Sequence, residues 1–324
     1  MFKNSLKIGI IIGFLNFLLF PIATALSKPV NPVKSQQSSF RKPSLSDKFF
    51  AITYGNNKFI IVGSEGTIGI SNNGRLWKIE SNSGNTLNDI CYGNKQFIAV
   101  GNWGTVLTST NGLNWHSVNL KIKKKDRYIY IRNMLTGVTY ANNEFIITGW
   151  GGLILTSKDG IHWKRRNSQT YSLITSITYG DNKFIAAGDT WLPEGWGGII
   201  LTSKNGIDWI KESFITKGWL SKVIYANNEF IAVGWKGTIV TSKNGIDWTK
   251  RDSGINLNLQ DITYGNNEFV TVGWGGIVLT SKNGITWKAK YSKLVSNNLY
   301  GVIYKNNKFI IVGEGGTIVA VKKL

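Results

Sequence analysis

One pattern limits what this chain can fold into. A tyrosine recurs at Tyr54, Tyr92, Tyr140, Tyr179, Tyr225, Tyr264 and Tyr304, at steps of 38, 48, 39, 46, 39 and 40 residues. A repeat of about 40 residues marks an array whose units bury their apolar faces only against one another. Within each unit the apolar residues alternate or run in short β-branched stretches, so the unit is made of strands. The copy at 261–290 is the clearest. Residues 261–265 (DITYG) form strand A, 268–273 (EFVTVG) strand B, 277–281 (IVLTS) strand C and 285–290 (ITWKAK) strand D. Asn266-Asn267 joins A to B, Trp274-Gly275-Gly276 joins B to C, and Lys282-Asn283-Gly284 joins C to D. The Asn-Gly pair reads as a type I′ turn, with positive φ at both central residues. Seven units predict an all-β, seven-bladed β-propeller of four-stranded blades over residues 40–324.

A box, S-x-[DN]-G-x-x-W, closes six units at 71–77, 109–115, 157–163, 203–209, 242–248 and 281–287. The last unit lacks it. Residues 39–44 (SFRKPS) read as a strand D tail with Phe40 in place of the box Trp. An N-terminal strand is therefore expected to complete the last blade, which removes an open edge. The box tryptophans are expected to fill the gaps between blades, and the box Ser and Asn or Asp to bond local backbone.

The box resembles the Asp-box, or bacterial neuraminidase repeat, of sialidase-like propellers. It has one residue fewer between acid and Trp, and Asn in five of six copies. The wider unit is similar to bacterial WD40/YVTN/BNR-like repeat proteins, a group that includes the photosystem II stability and assembly factor type. The resemblance spans about residues 40–324 and implies the propeller fold. It is nearly silent on function, because the box is a packing turn.

Residues 1–25 read as a signal peptide. Lys3 and Lys7 precede an apolar run at 8–20, Pro21 breaks it, and Ala23-Thr24-Ala25 is a cleavage site. Export to a periplasmic, extracellular or lumenal space is expected; an uncleaved membrane anchor is the alternative. Residues 26–39 read as a flexible linker. A single cysteine, Cys91, and two histidines leave no internal disulfide and no Cys/His zinc cluster. No cofactor or metal is expected.

Because strands alternate direction, A–B and C–D turns share one face of the ring. B–C turns and D-to-A connections share the other. The boxes lie on the first face and the departures from the repeat on the second. B–C turns carry Trp103, Trp150, Trp196, Trp235 and Trp274, while blades one and seven carry Glu65 and Glu314. Blade four has a seven-residue insertion at 189–195, which adds Trp191. The connection from blade two to three is longer than its peers and reads KIKKKDRYIYIR at 121–132.

These residues suggest a binding face. The leading reading is an envelope glycan stacked on Trp103, Trp150, Trp191, Trp196, Trp235 and Trp274 and oriented by Glu65 and Glu314. Packing of the channel mouth is the competing account of the same tryptophans. Lys121, Lys123, Lys124, Lys125, Arg127 and Arg132 form a basic arm for an anionic polymer or lipid headgroups. The alternative function is a protein-binding scaffold or assembly factor, as the photosystem-type resemblance implies. The net charge of +20 is partly dispersed over box turns at Lys158, Lys204, Lys243 and Lys282. Nucleic acid is not expected as a physiological partner of an exported chain, and a monomer is expected.

Catalysis finds little support. There is no Ser/His/Asp set and no Walker loop, and the seven arginines do not form a sialidase-type cluster. Glu65 with Glu314 is the one acid pair on which glycoside cleavage would rest.

Overall fold

The computed structural model describes residues 41–81, 84–124, 127–193, 195–212, 216–290 and 295–324. The signal peptide, the linker and Phe40 lie outside the described residues. The described chain folds as a seven-bladed β-propeller. Blade 1 is an antiparallel sheet of strand A (Phe49–Gly55), B (Lys58–Gly63), C (Thr67–Ser71) and D (Lys78–Ser81), paired in that order. Blades 2 to 6 repeat the order, and blade 4 gains a short fifth strand, Thr216–Lys217. Each strand A touches strand A of the next blade, and that of blade 7 (Leu299–Lys305) touches that of blade 1, so the ring closes.

Burial peaks in strands B and C, with strands A partly open toward the axis and strands D exposed. Strands B are buried nearly throughout, because both faces of each sheet are covered by neighbouring blades. Outer strands are charged and exposed, as at Lys164, Arg165, Lys250 and Lys288. Charged residues on an edge strand discourage sheet-to-sheet association. Seven apolar clusters each join two adjacent blades. A box Trp enters six of them. The seventh, between blades 6 and 7, has Val319, Val321 and Leu324 instead.

The repeated tyrosine is an inter-blade key. It stands opposite a strand B Phe, as Tyr54 does to Phe59, with ring centroids 4.6–4.7 Å apart in all seven blades. In four blades its ring also presses on the glycine that ends strand A of the preceding blade. A Cβ at Gly180 would lie 2.0 Å from the Tyr225 ring.

Two expectations need correction. The type I′ turn is not in the box. Positive φ at both central residues occurs in the A–B turns, such as Asn56-Asn57 and Asn266-Asn267. In the box only the glycine is left-handed, since Asn Oδ1 accepts two backbone N–H groups and the Ser hydroxyl accepts the glycine N–H. That side-chain scaffold replaces the tight turn. Secondly, blade 7 has three strands among the described residues (Leu299–Lys305, Lys308–Gly313 and Ile318–Val321). Of the segment expected to complete it, Arg41 pairs instead with Ile79 on strand D of blade 1, at 3.0 and 2.8 Å. The reason is local. Arg41 is ion-paired with Asp47, whose carboxylate also accepts the Ser44 N–H, which bends residues 41–47 into a D-to-A connection.

Candidate functional site

The two faces are as the strand order requires. Gly104 N–H donates to Asn133 O, Gly152 N–H to Ser172 O and Gly316 N–H to Asp47 O, so B–C turns meet D-to-A connections. Opposite them, Asn56 reaches Thr110 O and Gln96 reaches Asp159 O, so A–B turns meet the boxes. Five box tryptophans are at most 8% exposed, and Trp115 is half-buried. Five of the six donate the indole N–H to their own box glycine.

Turn tryptophans behave differently, and not as one set. Trp103, Trp150, Trp191 and Trp196 are 49–68% exposed. Trp235 and Trp274 are half-buried. Trp235 lies on Gly218, 5.6 Å from the Trp219 ring, with the Lys236 ammonium 4.2 Å above it. The packing account therefore holds for Trp235 and fails for the four exposed rings. The blade 4 insertion is not a loop. It lengthens strands B and C to Lys183–Leu192 and Gly195–Ser203, with Trp191 paired to Trp196 and their rings T-shaped at 5.1 Å. Asp189 takes the place in this turn that Trp150 and Trp235 take in theirs. Burial pushes its carboxyl up to about 6, although it accepts the Leu173 N–H.

The turns also differ in register. Trp150, Trp235, Trp274 and Glu314 directly follow the glycine that ends strand B. Trp103 and Glu65 come one residue later, in the left-handed region at φ 58° and 53°. Gly151, Gly275 and Gly315 fill that place in blades 3, 6 and 7, and Lys236, at φ 48°, fills it in blade 5. A bulky side chain there is an uncommon backbone choice.

Glu65 and Glu314 thus do not form a matched acid pair. Glu314 is bound by Tyr300 Oη at 2.8 Å, Asn298 Nδ2 at 3.1 Å and Lys48 Nζ at 3.3 Å. Partial burial opposes ionisation, but these donors outweigh it and hold the carboxyl below its ordinary range. A carboxylate held ionised is unsuited to general-acid work.

The basic arm is a two-stranded ribbon, Lys121–Lys124 against Arg127–Tyr130. Lys121, Lys123, Arg127 and Arg132 are exposed. Lys125 lies outside the described residues.

One cluster was missed from the sequence. The third residue of strand A faces the central channel, and in blades 2, 5 and 6 it is Asp89, Lys222 and Asp261. Lys222 Nζ is 3.8 Å from Asp89 Oδ2. Asp89 accepts the Val138 N–H at 3.0 Å, and Asp261 the Val302 N–H at 2.8 Å, each across a blade boundary. Burial pushes the Asp261 carboxyl up to about 6 against the pull of Lys222. Burial would lower the Lys222 ammonium, but Asp89 and Asp261 outweigh it and raise it. Burial, with Asp89, lifts the Cys91 thiol well above its ordinary range, which leaves a poor nucleophile. The sequence signal was available: a charge where other blades carry Ala51, Gly137, Ser176 or Gly301.

No protein-family model matches this chain, and no curated protein matches it in sequence. Solved structures match it in fold. YCF48 from Cyanidioschyzon merolae is 18% identical at a TM-score of 0.66, over 87% of this chain and 98% of that one. YCF48 bound to a D1 peptide is 16% identical at 0.66, over 89% and 96%. A catalytically inactive virginiamycin B lyase from Staphylococcus aureus, with quinupristin, is 14% identical at 0.71, over 87% and 98%. The same fold therefore serves a peptide-bound propeller and a lyase, and fold alone excludes neither binding nor catalysis.

Proposed function

We propose that this chain is a non-catalytic propeller whose Trp-bearing face docks a partner polypeptide, as a scaffold or assembly factor. The observation that carries this reading is the exposure of Trp103, Trp150, Trp191 and Trp196 on one face, while box tryptophans of the same chain are packed away. Exposed Trp is what a protein interface recruits for its energetic centre. The peptide-bound YCF48 structure supports the reading as a propeller of like fold holding a polypeptide. A sugar site needs a concave, aromatic-lined pocket. Two surface clefts of this chain are lined by Arg75, Lys308 and Lys322 and by Arg165, Gln169 and Tyr171, with no Trp in either. Action after export rests on residues 1–25 alone.

The test is cross-linked capture from the producing cell, with Trp191→Ala and Trp196→Ala beside the native chain. Capture of a defined polypeptide that falls roughly thirtyfold in the variants, at the hot-spot threshold, is expected. Elution by free saccharide, with no polypeptide captured, would replace this reading with the glycan one.

A further inference from the structure

We propose that the blade 2–3 arm, with Trp103 beside its base, is a contact for the interface of an anionic lipid bilayer. Three observations meet there. The first is the ribbon's two-sidedness. Lys121 pairs with Tyr130 and Lys123 with Tyr128, so these four share one face of the ribbon, and all four are exposed. Ile122 pairs with Ile129 on the other face, and both are half-buried. Leu120 and Ile131 anchor the ribbon in the core between blades 2 and 3. The fold thus presents the Lys–Tyr face to solvent on a rigid base. Among the described residues this is the only two-stranded sheet.

The second observation is Trp103. Its turn is tied to the strand leaving the arm, through the bond from Gly104 N–H to Asn133 O. Trp103 occupies a left-handed position that three blades give to glycine and two to Glu65 and Lys236, so it is the one aromatic ring placed there among the described residues, and most of it is in water. Packing does not require it there. Strained, exposed positions of this kind concentrate at functional sites.

The third is charge. Lys121, Lys123, Arg127 and Arg132 have no carboxylate partner within ion-pair distance among the described residues. Lys121 Nζ sits 4.6 Å over the Tyr128 ring. Trp and Tyr settle at headgroup depth, where an apolar ring meets a wet edge. Lysine stems lie along apolar material while the ammonium reaches anionic headgroups. Protein interfaces, by contrast, are depleted in lysine. The combination of exposed Trp, two Tyr and unpaired Lys and Arg on a projecting ribbon therefore suits a lipid surface better than a protein groove. This inference does not depend on the partner proposed above, whose test rests on Trp191 and Trp196, and it assigns Trp103 to the lipid contact rather than to that partner.

The experiment reads the arm itself, so attachment of the chain elsewhere does not affect it. An environment-sensitive dye is placed on Tyr130→Cys in a Cys91→Ser full-length chain. Vesicles of phosphatidylglycerol and phosphatidylcholine are compared with phosphatidylcholine alone. A blue shift and quenching by brominated lipid are expected on the anionic vesicles only. At roughly fivefold per basic residue near an anionic surface, Lys121→Ser with Lys123→Ser lowers the apparent affinity of the dye response about twenty-five-fold. The same dye on Ile207→Cys, on the box face, is expected to stay unshifted. No shift at position 130, or an equal shift on neutral vesicles or at position 207, would overturn the proposal. So would equal affinity for soluble heparin without a blue shift, which would place the arm on a free polyanion.

Discussion

The same residue meets opposite fates on the two faces. In the boxes, tryptophan closes the gap between blades, and in five of six its indole N–H is bonded to the turn that carries it. In the B–C turns, four tryptophans stand in water. The box Trp is specified by the repeat: its Ser, Asn and Gly build the turn that aims it inward. The turn Trp has no such scaffold and varies in register between blades. Regularity therefore marks packing in this chain, and the tryptophans that depart from it stay exposed.

That contrast makes ordered predictions. The largest effect is expected for Trp209→Ala. The ring is 1% exposed, and its loss should cost about 3–5 kcal/mol in urea unfolding, against under about 0.5 kcal/mol for Trp150→Ala. Equal costs would erase the distinction between faces.

Lys222 is the intermediate case, a departure from the repeat that is not on a face. Lys222→Met leaves Asp89 and Asp261 without their cation. With the lysine partly exposed, we expect a loss of about 2–3 kcal/mol at neutral pH, shrinking as Asp261 is protonated. A constant loss across pH would show that packing, not charge, was removed.

Asp189 sharpens the comparison on the Trp face. Its carboxyl holds a proton more tightly in the folded chain than in the unfolded one. Its contribution to stability is therefore present below roughly pH 4 and lost as pH rises through about 6. Asp189→Asn should remove that share of the decline. After solvent screening, the variant should gain about 1 kcal/mol at pH 7.5 in a pH series of thermal midpoints.

The smallest effect has the opposite sign to the first. Trp103→Gly relieves a left-handed residue, and a gain of about 0.5–1 kcal/mol is expected even after glycine's extra unfolded-state freedom. Destabilisation would mean that Trp103 packs like a box residue after all.

Much of this molecule was legible in its sequence, for a stated reason. Seven tyrosines and six boxes fixed the blade count, strand order and faces, because each unit is local and its neighbours are copies of itself. The exposed Trp103, Trp150, Trp191 and Trp196 were found by departure from the repeat, as was the ribbon from Lys121 to Tyr130. Three things were not legible. The type I′ turns went to the wrong Asn residues, since a side-chain cap and a tight turn share the same letters. Glu65 and Glu314 were paired by blade adjacency, while a one-residue difference in turn register and the Tyr300, Asn298 and Lys48 donors separate their roles. Asp89, Lys222 and Asp261 lie far apart in the chain and meet only across a closed ring. The sequence by itself determined the unit and its repetition, because strand pairing and turn chemistry act within about 40 residues. Which aromatics stay in water, and which charges face one another across the channel, was decided by the tertiary structure, because burial and Coulomb partners depend on which blades close the ring.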